Sequence, residues 1–315
     1  MSKIAFLFPG QGSQTVGMGK TMAAANAESA EIFRKADQKL GYSLSDLIFS
    51  GPQEELTLTT NAQPALLTTS IAVLEYFKAS GITPDYCAGH SLGEYTALVA
   101  SGAFSFEEGV YAVHKRGEFM EIAVPNGEGT MAAVLGLDSE KLQAVTEEIT
   151  QGGNLVQLAN INCPGQIVIS GTRKGVELAS VKAKEAGAKR VLPLEVSGPF
   201  HSELMKPAAE KLASVLDEMN IQDAKVPVIA NVTAEAMIQA DDIKAKLIQQ
   251  LYSPVQWENS VQKMIDLGVT TFIEIGPGKV LSGLVKKVSR SVTTYAVSDE
   301  TTCKEVIEAL KEGTK

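Results

Sequence analysis

No apolar run in the chain approaches the roughly 18 residues of a membrane-spanning helix, so no span is expected. Cysteine is scarce. Cys87, Cys163 and Cys303 are widely separated and odd in number, which excludes a disulfide framework and any metal-ligand spacing. A reducing compartment is the default for such usage. The stretch Ile4 to Phe8 is too short for a secretory h-region and is cut by Pro9, so a cytoplasmic location is expected. Positive charge is in deficit. The 28 Lys and Arg against 37 Asp and Glu leave a net charge of −9, which argues against nucleic acid as the main partner. An acidic partner would have to find a local basic patch against that field. There is no repeat of fixed period and no low-complexity segment. Histidine is scarce too. Only His90, His114 and His201 are present, which shortens any search for a general base.

What is present begins with Gly89-His90-Ser91-Leu92-Gly93. A serine with a glycine two positions away on each side is the nucleophile-elbow pattern, a strand that turns sharply into a helix. The glycines leave room where a Cβ would crowd the turn. Chance would give about 0.1 such matches in a chain of this length, so the flanks matter. Pro84 to Ala88 suits a short strand, and Leu92, Tyr95, Leu98 and Val99 recur at helical spacing.

Lys3 to Phe8 reads as a buried strand that runs into the glycine-rich loop Pro9 to Gln14. Two nucleotide-binding readings fail there on spacing. Position 15 is threonine where a dinucleotide fingerprint needs Gly or Ala, and position 14 is glutamine where a phosphate loop ending in Gly19-Lys20-Thr21 needs glycine. A loop with backbone N–H groups free to face an anion survives.

Residues 22 to 80 read as mostly helical, with loops at Gly51-Pro52 and at Asn61 to Pro64. Residues 130 to 196 follow a strand–helix–strand–strand–helix–strand order, the ferredoxin-like arrangement. Pro125-Asn126-Gly127 and Ser197-Gly198-Pro199 bound it. Strands and helices alternate elsewhere, which implies a mostly parallel sheet covered on both faces. The expected fold is therefore α/β. A large α/β-hydrolase-like catalytic domain (1–126 and 197–315) with a parallel sheet carries a smaller inserted ferredoxin-like βαββαβ domain (127–196).

A serine needs an adjacent base, most often histidine. His90 neighbours Ser91 along the elbow and should point away from its hydroxyl. His114 lies on a helix face with Val110, Glu118 and Glu121 that reads as solvated. His201 follows the serine in chain order, as an elbow enzyme requires. Elimination leaves His201 as the base, with a hydrogen-bonded structural histidine as the alternative. No acid stands out between Ser91 and His201 to orient the imidazole, and a backbone carbonyl could do so. On the helix from Glu107 to Val124, Arg116 shares a stripe with Val113, Gly117, Met120 and Val124. It should be buried and needs an anionic mate. A structural ion pair or a guanidinium reaching the surface would satisfy it equally.

Several segments, in order, resemble one family. They are Phe8 to Gln14, Gly89 to Tyr95, Arg116-Gly117 with Met120, Asn162 with Pro164-Gly165-Gln166, His201-Ser202, Pro254 to Trp257, and Glu274 to Gly278. The chain is similar to the malonyl-CoA:acyl carrier protein transacylases of fatty acid synthesis. The resemblance implies an acyltransferase with Ser91 as the acylated nucleophile and His201 as the base. It implies that the backbone carbonyl of Gln250 orients His201, and that the backbone N–H groups of Gln11 and Leu92 form an oxyanion hole. Arg116 would hold the free malonyl carboxylate. Malonyl-CoA and acyl carrier protein are the implied partners, with no cofactor beyond the substrate, no metal, and a monomer expected. Lys189-Arg190, and Lys286-Lys287 with Arg290, are basic patches that could dock an acidic carrier or could be merely solvated. A serine hydrolase or thioesterase with water as acceptor is the rival, followed by a non-catalytic nucleotide-binding module.

Overall fold

The apolar residues of Lys3–Phe8 divide between two cores. In a computed structural model, which describes residues 3–125 and 127–312, Phe6 and Phe8 enter one buried cluster while Ala5 and Leu7 enter another. Side chains alternate across a strand, so this division means that helices cover the sheet on both faces. Among the described residues the ten strands are β1 (Lys3–Phe8), β2 (Tyr86–Gly89), β3 (Gly129–Leu135), β4 (Val156–Cys163), β5 (Gln166–Thr172), β6 (Arg190–Pro193), β7 (Val228–Ile229), β8 (Ala236–Met237), β9 (Val269–Ile275) and β10 (Thr293–Val297). The large sheet has the order β10-β9-β1-β2-β7-β8 and is parallel except for the β7–β8 pair. Cys87 and Ala88 on β2, Val228 and Ile229 on β7, and Ile273 and Phe272 on β9 repeat the same two-sided division.

The helix Thr59–Phe77 is buried nearly all round, as a helix apolar on every side must be. It runs through Asn61 to Pro64, where a loop was expected. Pro64 lacks the N–H that would bond the Thr60 carbonyl, and His114 Nδ1 approaches that carbonyl at 3.2 Å instead. His114 is thus half-buried and partnered rather than solvated. Against Thr59 and Thr60 packs Gly117, where a Cβ would come within 2.8 Å of the Thr59 carbonyl oxygen. Only a glycine lets the helix Phe106–Ile122 approach this closely, and the approach brings Arg116 beside Gln63.

The second sheet is antiparallel, in the order β4-β5-β3-β6. The helices Ser139–Gln151 and Arg173–Glu185, capped by the side chains of Asp138 and Thr172, complete the βαββαβ arrangement. Its own core includes Val134, Leu142, Ile167, Ile169 and Val176. Backbone bonds between Ile161 and Val255 (2.9 Å) and between Val255 and Ala159 (2.8 Å) tie it to the rest of the chain. Asn126, at the expected boundary, lies outside the described residues. The last strand of this unit stops at Pro193 rather than Val196, and the chain turns off toward the cleft. The helices Ala240–Gln250 and Trp257–Asp266 were not anticipated, although Ile243, Leu247 and Gln250 form a buried stripe at helical spacing.

Candidate active site

Two glycines and an asparagine make the turn after β2 possible. A Cβ at Gly89 would overlap the carbonyl of Gly93, and a Cβ at Gly93 would overlap that of Phe8. Between them Ser91 takes φ 52°, a left-handed conformation that costs a non-glycine residue about 1–2 kcal/mol. Asn231, just past β7, holds it there. The Ser91 N–H donates to Asn231 Oδ1 at 2.8 Å, and Asn231 Nδ2 donates to the Gly89 carbonyl at 2.8 Å. The helix Gly93–Ala100 starts at once, so the hydroxyl stands at the carboxyl end of a parallel strand, where open α/β sheets place their sites.

His201 comes to this point from the opposite side, on the segment returning from the small sheet. Its Nε2 lies 2.7 Å from Ser91 Oγ, and its Nδ1 lies 2.8 Å from the Gln250 carbonyl. A carbonyl only accepts, so Nδ1 carries the proton and Nε2 is left with a lone pair facing the hydroxyl. Arg116 is 1 % exposed. It donates from Nη1 to Gln63 Oε1 at 2.7 Å, and from Nη2 to Gln250 Oε1 at 2.8 Å and to Ser91 Oγ at 3.1 Å. Every one of these partners is neutral, and Nε has none. Among the described residues the backbone N–H groups of Gln11 and Leu92 likewise bond no protein acceptor. Ser91, His201, Arg116, Gln11 and Leu92 line one cavity of 380 Å³ together with Phe200, and Gln63, Gln250 and Asn231 stand buried behind that lining.

A family model described as "Acyl transferase domain" matches residues 5–314. The chain belongs to the acyl transferase domain family. Among curated relatives, the malonyl CoA-acyl carrier protein transacylase of Bacillus subtilis is 69% identical over 312 residues, covering 99% of this chain and 98% of that protein. The protein of the same name from Staphylococcus aureus is 48% identical, covering 94% and 96%. Among solved structures, an acyl carrier protein S-malonyltransferase from Vibrio cholerae superposes with a TM-score of 0.95 at 45% identity, covering 97% of this chain and 100% of that one. A malonyl-transacylase solved in complex with a type II PKS acyl-carrier protein gives a TM-score of 0.95 at 42% identity, covering 98% and 100%.

In this acyltransferase the cavity floor is built from buried polar side chains, and burial displaces their titrations. His201 is 3 % exposed. Burial, then the nearby Arg116 charge, hold its pKa down to about 3, so the imidazole is neutral across the physiological range. Burial likewise lowers the pKa of Arg116 from its ordinary value. Behind the serine, burial lifts the Glu94 carboxyl to about 7. Of the residues singled out above, Ser91, His201, Arg116, Gln11 and Leu92 are therefore brought together around one cavity, and Gln250 backs them through its bonds to His201 and Arg116. Gln63, Asn231 and Glu94 were not singled out. Each carried a signal: a polar residue in an otherwise apolar setting, on the buried helix (Gln63), at the end of a strand run (Asn231) and on the elbow helix (Glu94).

Proposed function

We propose that the chain transfers a malonyl group from malonyl-CoA to the phosphopantetheine thiol of an acyl carrier protein through a malonyl ester on Ser91, supplying fatty acid synthesis. The observation that carries this reading is Arg116, a buried guanidinium bonded only to neutral groups and 3.1 Å from the Ser91 hydroxyl. A cation so placed awaits an anion, and an acyl group ending in a carboxylate supplies one at the right distance from the ester.

Ser91 Oγ attacks the thioester carbonyl as its proton passes to His201 Nε2. The tetrahedral oxyanion is received by the N–H groups of Gln11 and Leu92, donors of a kind typically worth about 2.7–4 kcal/mol each in the transition state. The His201 imidazolium forms only beside that oxyanion, whose charge offsets burial and the Arg116 repulsion. The Gln250 carbonyl holds the ring in place. The C–S bond then breaks and CoA leaves with the proton. The carrier thiol gives its proton to His201 and attacks the ester, and Ser91 Oγ leaves with that proton. Protons and acyl group balance without a cofactor. The relatives named above fit this assignment by name. Among the described residues no helix is long and apolar enough to cross a membrane.

The same reading divides the chain into a catalytic unit, 1–126 with 197–315, and a small inserted unit, 127–196, with the acyl site between them. Shielding in that cleft keeps water from the ester. If the malonyl-enzyme is mixed with holo-carrier, most of the malonyl group should appear as carrier thioester. Release chiefly as free malonate would make the chain a thioesterase instead.

For docking, Lys286, Lys287 and Arg290 line one groove with Pro164, and Lys189-Arg190 lie at the start of β6. Reversing the charges at both patches should slow transfer to an acidic carrier by about 10-fold or more and steepen no other step, because rim charges act mainly on association. An unchanged rate constant for carrier, measured under second-order conditions, would remove both patches from the docking surface.

A further inference from the structure

Glu94 lies three residues past the nucleophile, is 0 % exposed, and has no place in the steps above. Its Oε2 accepts from Gln250 Nε2 at 2.6 Å and from the Asn231 backbone N–H at 3.3 Å, while Oε1 has no partner. The Gln250 side chain connects it to Arg116. The amide nitrogen faces the Ser91 carbonyl (2.9 Å), Glu94 Oε2 and Asn231 Oδ1 (3.4 Å), and the amide oxygen accepts from the guanidinium at 2.8 Å. This surround fixes the amide orientation, because flipping it would set oxygen against three acceptors. A buried acid and a buried cation are thus coupled through one amide without touching.

Neither charge is cheap to bury alone. In the empty site Glu94 offsets the Arg116 charge only in part, since it is partly protonated at neutral pH and reaches the guanidinium only through the Gln250 amide. Once an acyl carboxylate pairs with Arg116, the pocket holds two anions for one cation, and Glu94 becomes the surplus charge. We infer that Glu94 is the resident counter-anion of Arg116 and that its ionised fraction takes up a proton from solvent when the acyl carboxylate docks, so that the buried site does not hold two anions for one cation. This inference rests on the proposed role of Arg116. Glu94 is a counter-charge acting through Gln250, not a group that touches the reacting atoms.

The surroundings leave few other candidates for that proton. The charged or titratable groups acting on Glu94 are Arg116 from the helix Phe106–Ile122, Lys246 from the helix Ala240–Gln250, and Tyr95 beside it. Lys246 is paired with Asp242 at 2.8 Å. Burial lifts the Tyr95 hydroxyl far above its ordinary range. His201 is held neutral. Glu94 itself, at about 7 in the empty site, is balanced at neutral pH. A second anion nearby raises it further, which favours proton uptake.

The test mixes enzyme with malonyl-CoA in weak buffer near neutral pH, reads proton uptake with an indicator dye, and counts acyl-enzyme by intact mass. Wild type should take up about half a proton per malonyl-enzyme formed near pH 7. Loading with acetyl-CoA should take up none, and Glu94→Gln should take up none with either thioester. Malonyl-enzyme formed by wild type without proton uptake overturns the inference, as does undiminished uptake in Glu94→Gln. Should that variant fail to fold, the wild-type difference between malonyl and acetyl still decides. Failure of the underlying reading shows separately, as malonyl loading that survives Arg116→Ala.

Discussion

Ser91→Ala is expected to leave no acyl adduct and to lower transfer to carrier by about 10⁴- to 10⁶-fold. Among the described residues the Ser91 hydroxyl is the one in contact with an imidazole, since His201 Nε2 stands 2.7 Å from it with its lone pair turned inward. His201→Ala should cost nearly as much, because the two residues act as a unit, and the double variant should be little worse than either single one. The loss should fall on the chemical step. Measured by rapid quench in a single turnover, the loading rate should collapse while the affinity for malonyl-CoA, read by competition, changes little. Removing the hydroxyl should leave the turn in place, since Asn231 holds the Ser91 backbone rather than its side chain. An adduct that persists in Ser91→Ala would place the nucleophile elsewhere.

The second large effect is one of selectivity. Arg116→Ala should reduce malonyl loading by about 2–5 kcal/mol, roughly 30- to 5,000-fold, as expected when one partner of a buried charge pair is removed. Acetyl loading, which has no carboxylate to hold, should fall far less. Arg116→Lys should remain impaired. The guanidinium spreads its donors over Gln63, Gln250 and Ser91 at once, and an ammonium presents no such planar fork. Acetyl loading also controls for damage to the floor, because Gln63 and Gln250 lose their donor in either variant. Equal loss of malonyl and acetyl loading would reduce Arg116 to a structural residue.

The elements of this site were unequally legible in the sequence. The elbow was readable because its glycines answer a local steric demand, visible in five residues. His201 could be found because histidine is scarce and the order of serine and base is constrained. The burial of Arg116 followed from helical spacing, but its partners did not, since Gln63 and Gln250 come from distant helices. The orienting group of His201 is a main-chain carbonyl. It carries no side-chain signature, so only the family resemblance named Gln250. Glu94 hid inside the motif that drew attention to Ser91. A carboxylate on a helix reads as solvated until the packing around it is known. Pro64 misled in the opposite direction. A proline usually ends a helix, but here His114 approaches the carbonyl that the proline leaves unpaired. The helices Ala240–Gln250 and Trp257–Asp266 were legible in principle, since Ile243 with Leu247 and Trp257 with Val261 and Met264 recur at helical spacing, but each stripe is only two or three apolar residues long.

The ester on Ser91 is the point on which substrate, base and acceptor all depend. The most direct measurement is intact mass and peptide mapping of wild-type enzyme mixed with malonyl-CoA, repeated after holo-carrier is added. One malonyl group on the peptide containing Ser91, lost on addition of carrier and recovered on the carrier's thiol, is the expected result. Free malonate with no adduct, or an adduct on any other residue, would contradict it.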